Sequence, residues 1–95
     1  MGIPHLLVHD QHDNVGVVVV EGLTAGTEMF AVVTADNSSF KLTARDSVPI
    51  RHKVALNDLK AGDTAIKYGH DIGRIVADVG KGGHVHVHNL KTKRW

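Results

Sequence analysis

Apolar positions along the chain fall in short runs separated by polar or glycine-bearing breaks, at intervals that suit strands and are too short for independent helices. Residues 5–10 form such a run, residues 11–14 read as a turn, and residues 15–20 resume as a strand, so the two predict a hairpin. Val17 to Val20 do not alternate with polar residues, which predicts a strand covered on both faces, by this domain or by a partner. Two glycines within 21–27 break it, and strands over 29–34 and 40–44 follow around a polar turn at 35–39. In the second of these Lys41 and Thr43 alternate with Phe40, Leu42 and Ala44, leaving one face apolar and the other wet.

Pro49 interrupts the next region, after which 52–56 reads as a strand or extended arm leading to a turn at 59–63. Asn57 or Asp58 suits the cap of a single helical turn over 57–60, too short to change the fold class. Strands over 64–68, 74–78 and 85–89 alternate with glycine-bearing turns at 69–73 and 79–83. The pattern predicts one all-β domain over 1–95, with a core of about 5–90 and a basic tail at 91–95. Trp95, beside Lys93 and Arg94, is a frayed end or an anchor into a partner.

Composition sets bounds on this picture. With 95 residues, 42% of them hydrophobic and 4% aromatic, the chain supports one modest core built from Val, Ile, Leu and Ala. The absence of cysteine excludes disulfide staples, thiolate-bound zinc or iron–sulfur centres and a cysteine nucleophile within this chain. A net charge of +1 with interspersed signs is no nucleic-acid footprint. No apolar run approaches the roughly 20 residues that span a bilayer, and the N-terminus lacks the basic start and long apolar stretch of a signal peptide. A soluble cytoplasmic protein is the expectation.

Eight histidines stand out from that background. In a strand over 85–89, alternation would put His84, His86 and His88 on one face, about 6–7 Å between neighbours. Two imidazoles so placed suit one divalent metal or an anionic substrate; the plain alternative is a solvent-facing side that uses histidine. Asn89 either orients a substrate or closes a turn. Arg51, His52 and Lys53 combine a fixed cation, a titratable ring and an ammonium, which suits an anionic substrate or forms a basic edge. Strand alternation opposes His52 to its two neighbours unless the backbone bends. His9 and His12 bracket a polar turn with Asp10 and Asp13 and are weaker metal candidates, while His5 and His70 read as structural or surface residues.

Taken in order, Arg51-His52-Lys53-Val54-Ala55-Leu56, Ala61-Gly62-Asp63, Ile66-Lys67-Tyr68-Gly69, Ile72-Gly73 and His84-Val85-His86-Val87-His88-Asn89 resemble the SAF domain of the altronate and galactarate dehydratase family. The resemblance implies a β-clip fold of short and bent strands, and a divalent metal, ferrous iron, in the complete enzyme. A chain ending at Trp95 resembles those members in which this domain is a separate small subunit working with a large catalytic (beta) subunit. The implied activity is a lyase acting on a small hydroxy acid, either a sulfo-lyase releasing sulfite and pyruvate or a sugar-acid dehydratase. The rival outside enzymology is a metal- or carbohydrate-binding module with no large partner. On the lyase reading His52 and Lys53 are the catalytic candidates, Arg51 and Asn89 the substrate-binding ones, and His86 and His88 the metal ligands. Arg51 stands where the dehydratases commonly have glycine.

Overall fold

The computed structural model describes residues 4–67, 70–86 and 88–91. Among them the chain forms nine strands and no helix: β1 (Leu6–Val8), β2 (Val15–Val18), β3 (Glu28–Val33), β4 (Ser38–Thr43), β5 (Lys53–Ala55), β6 (Thr64–Lys67), β7 (His70–Ile75), β8 (His84–Val85) and β9 (Leu90–Lys91). Six of them build one sheet in the order β4-β3-β1-β2-β5-β8, and three build a second in the order β6-β7-β9. The all-β architecture is the one expected. So are the β1–β2 hairpin, with Leu7 opposite Val17, and the β3–β4 hairpin, in register from Glu28 opposite Thr43 to Val33 opposite Ser38.

Two apolar clusters hold the sheets. Leu6, Val8, Val18, Met29, Ala31, Val33 and Val54 fill the first, and Val15, Ala55, Ala65, Ile75 and Val85 fill the second. β2 therefore lies between two cores: Val18 is buried on one side and Val15 on the other. That explains a valine run without polar alternation. The cover is incomplete, because the strand ends at Val18 and Val17, Val19 and Val20 are only half-buried. Asn14 fastens the two sheets at this point. Its amide donates to the Thr64 carbonyl at 2.8 Å and accepts the Ile66 N–H at 2.7 Å, with its own carbonyl accepting the Leu56 N–H at 2.9 Å.

The later third departs from the expected spacing. The turn predicted over 69–73 is largely strand, because β7 runs through Gly73. A Cβ at Gly73 would sit 2.5 Å from the Lys91 carbonyl oxygen, so this glycine admits β9 rather than turning the chain. The strand predicted over 85–89 is two residues of β8 followed by a turn, in which the Asn89 and Leu90 N–H groups both donate to the His86 carbonyl. Residues 57–60 form no helical turn; Leu59 pairs instead with Val79 as an isolated bridge. Gly69, Lys93, Arg94 and Trp95 lie outside the described residues.

Candidate functional site

β5 begins immediately after a tight turn in which the His52 N–H donates to the Pro49 carbonyl at 3.1 Å. Arg51 is the third residue of that turn and has φ 74°. This backbone bend is what frees His52 from strict alternation with its neighbours. Antiparallel pairing of β5 with β8, with Val54 opposite His84 and Lys53 opposite Val85, then carries His52 to the histidine segment.

Three half-buried imidazoles meet there. His52 Nδ1 lies 2.8 Å from His84 Nε2, a hydrogen bond for which one ring supplies the proton. The His52 ring also stacks on His86, with centroids 3.7 Å apart and planes inclined by 16°. Exposed His88 leans on His84 at 4.9 Å with a tilt of 48°.

Burial holds the His84 ring below the ordinary imidazole range, and the neighbouring His88, His52 and His86 push the same way against the opposing pull of Asp46. His86 is lowered as well, by desolvation first and then by His52, Lys53 and His88. At neutral pH these rings are therefore uncharged and able to accept protons. Burial also lowers Lys53, with Lys67 adding like-charge repulsion.

The backbone carrying the rings is pinned by two side chains. Asn89 is buried, its amide donating to the His84 carbonyl at 2.9 Å and accepting the His86 N–H at 3.0 Å. Both ends are thus engaged with the backbone, and the turn-closing alternative describes them. Asp46, which the sequence did not single out, accepts the His84 N–H at 3.0 Å. On this side the rings open on a cleft of about 600 Å³ lined by Arg45, Asp46, Asp78, Gly80, His84 and His88. The only sequence signal for Arg45 and Asp46 is the glycine cluster 80–83 that packs against them.

Of the two expected metal ligands, His86 stacks on His52 and His88 leans on His84. Imidazole lone pairs lie in the ring plane, so two near-parallel rings 3.7 Å apart direct them past one another instead of towards one ion. Among the described residues no group of three or more His, Asp or Glu is placed to hold a metal. The remaining histidines stay apart from the cluster. His12 contacts Asp10 at 2.9 Å on the surface, His9 contacts Thr34 at 3.5 Å, and His5 Nδ1 accepts the Phe30 N–H at 3.0 Å.

Arg51 stands exposed in a conformation that costs a non-glycine residue roughly 1–2 kcal/mol. Part of that cost is offset on replacement, because glycine loses about 0.5–1 kcal/mol more conformational entropy on folding. Arg51→Gly is accordingly expected to raise stability by about 0.5–1 kcal/mol, seen as a melting temperature a few degrees higher. Retained activity in that variant would remove Arg51 from the substrate-binding set; a raised KM would keep it there.

The family described as Altronate/galactarate dehydratase SAF domain matches residues 4–93. The chain is 66% identical over 67 residues to the (2R)-sulfolactate sulfo-lyase subunit alpha of Paracoccus pantotrophus, covering 70% of this chain and 100% of that one. It is 49% identical over 89 residues to the (2R)-sulfolactate sulfo-lyase subunit alpha of Chromohalobacter salexigens, covering 94% and 95% of the two chains. The altronate dehydratase of Escherichia coli is 44% identical over 80 residues, 84% of this chain but 15% of that protein.

Proposed function

The chain belongs to the altronate/galactarate dehydratase SAF domain family, and from that premise we propose that it is the small subunit of a two-subunit lyase converting (2R)-sulfolactate to sulfite and pyruvate. One observation carries the choice of substrate. The sulfo-lyase subunit of Chromohalobacter salexigens is matched over 95% of its own length, whereas the altronate dehydratase of Escherichia coli is matched over 15%. Identity points the same way, at 66% and 49% to the two sulfo-lyase subunits against 44% to that altronate dehydratase.

In the reaction the C2–H bond of sulfolactate breaks, its electron pair forms the C2–C3 double bond, and the C3–S bond breaks with its pair leaving as sulfite. The enol so formed gives up its O–H proton and takes one at C3 to become pyruvate. This chain contributes a proton acceptor. His52 engages His84 through Nδ1, which leaves its Nε2 to face the substrate, and a proton taken there is shared across the pair by releasing the bridging proton to His84. Neutral His84 is suited to receive it. Lys53, beside the stacked rings, supplies positive charge towards the developing enolate. Among the described residues no three His, Asp or Glu side chains are grouped to hold a metal, and this reading assigns the principal ligands of ferrous iron in the complete enzyme to the large subunit.

The outer face of the larger sheet suits that subunit. Leu7 is 38% exposed there, bordered by half-buried Val17 and Val19 and by Lys67 at the edge of a small apolar depression. Val17 is paired with Lys53, so a chain seated on this face also reaches the histidine strand. The test is co-expression with the large subunit of a (2R)-sulfolactate sulfo-lyase. The pair is expected to co-purify and to release equal amounts of sulfite and pyruvate from sulfolactate, and Leu7→Asp is expected to abolish co-purification. Turnover of altronate in place of sulfolactate would sink the assignment.

A further inference from the structure

Arg45 is exposed, and among the described residues it forms no ion pair. It follows β4, and its N–H donates to the Gly82 carbonyl at 2.9 Å. Its guanidinium lies against Gly80 so closely that a Cβ there would overlap Nη1 and come within 2.9 Å of Cζ. The glycine thus clears the space the arginine occupies. Among the described residues this guanidinium has no hydrogen bond and no ion pair. The two carboxylates that share its cleft have other donors: Asp46 accepts the His84 N–H at 3.0 Å, and Asp78 accepts the Ala61 N–H at 2.8 Å with Lys60 at 3.8 Å. An exposed planar cation with unused donors, in the wall of a cleft shared with His84 and His88, matches an oxyanion that can accept two parallel N–H groups.

We propose that Arg45 binds an acidic group of the substrate, carboxylate or sulfonate, and so fixes the substrate's position against the His52–His84 pair. The inference rests on the lyase reading above but concerns binding, so the two can fail separately. Gly80 leaves room for the Arg45 guanidinium, and Asp46 accepts the His84 N–H.

The test uses the assembled two-subunit protein, wild type and Arg45→Gln, titrated calorimetrically with sulfolactate and with lactate, which keeps the carboxylate and lacks the sulfonate. Loss of the charged donors is expected to weaken sulfolactate binding about 10- to 100-fold and to raise KM far more than it lowers kcat. Arg45→Lys is expected to recover part of the affinity but not all, since an ammonium cannot bind in the bidentate manner. A loss seen equally with lactate identifies the carboxylate as the group bound; a loss confined to sulfolactate identifies the sulfonate. Wild-type binding without sulfite release would overturn the lyase reading and leave Arg45 on trial by affinity alone. Unchanged affinity in Arg45→Gln, failure of the wild type to bind either anion, or loss of the large subunit on substitution would each overturn the assignment of Arg45.

Discussion

Alanine in place of His52 is expected to lower kcat of the assembled enzyme by about 10²–10⁴-fold, the usual range for removal of a positioned acid or base. The expectation follows from where the ring sits. His52 alone touches both of its partners, bonding to His84 through Nδ1 at 2.8 Å and stacking on His86 at 3.7 Å. Loss of the ring takes away the proton acceptor and separates the two histidines that remain, whose centroids are 6.1 Å apart. Stability should change little, because the ring is only half-buried and belongs to neither apolar cluster. Thermal melts alongside the kinetics distinguish the two effects. The pH profile gives a second check. Passing on the bridging proton requires an uncharged His84, and its lowered affinity for a proton keeps that ring uncharged below the ordinary imidazole range. The contribution of His84 to the profile should therefore lie at lower pH than a solvent-exposed histidine would give. Near wild-type turnover by His52→Ala would remove this chain from the proton-transfer step.

The sequence made the strand content, the first two hairpins and the histidine-rich segment readable, because each depends on neighbours a few residues apart. The site itself depends on longer connections. His52 and His84 are 32 residues apart and meet only because β5 pairs with β8. Alternation along one strand brought the right histidines to notice for a different geometric reason: β8 is two residues long, and the turn fixed by Asn89 sets His86 against His52. Arg45 and Asp46 carried no local pattern, since Asp46 reaches its partner across 38 residues. Glycines were visible as breaks in the pattern, but their roles differ in kind. Gly73 lies within a strand beneath β9, and Gly80 makes room for a guanidinium. At Arg51 the backbone has the positive φ that glycine tolerates best, which gives the glycine expected there from the resemblance a conformational explanation.

Gly82→Ala is expected to be the most destabilising single substitution proposed here. A Cβ at this position would overlap the Thr43 carbonyl oxygen and lie 3.2 Å from its carbon, at φ +87°. Neither side can yield easily: the Gly82 N–H donates to the Ala55 carbonyl at 2.8 Å, and its carbonyl accepts the Arg45 N–H at 2.9 Å. The left-handed backbone costs alanine about 1–2 kcal/mol, the overlap about 1–3 kcal/mol and a strained hydrogen bond about 1 kcal/mol. The total of about 3–6 kcal/mol is a large share of the roughly 5–15 kcal/mol that holds a typical domain. Gly62→Ala separates these contributions, because Gly62 has a similar φ of +98° with nothing within 4 Å of its Cβ position. It should lose only the conformational part. Urea titrations of both variants are expected to show the midpoint for Gly82→Ala falling at least twice as far. Since His84 follows two residues later and its N–H is held by Asp46, any Gly82→Ala protein that remains folded should also lose activity. Equal midpoints for the two variants would mean that the segments around Thr43 and Gly82 can move apart at little cost, and the close packing that sets Arg45 beside the histidines would lose its structural basis.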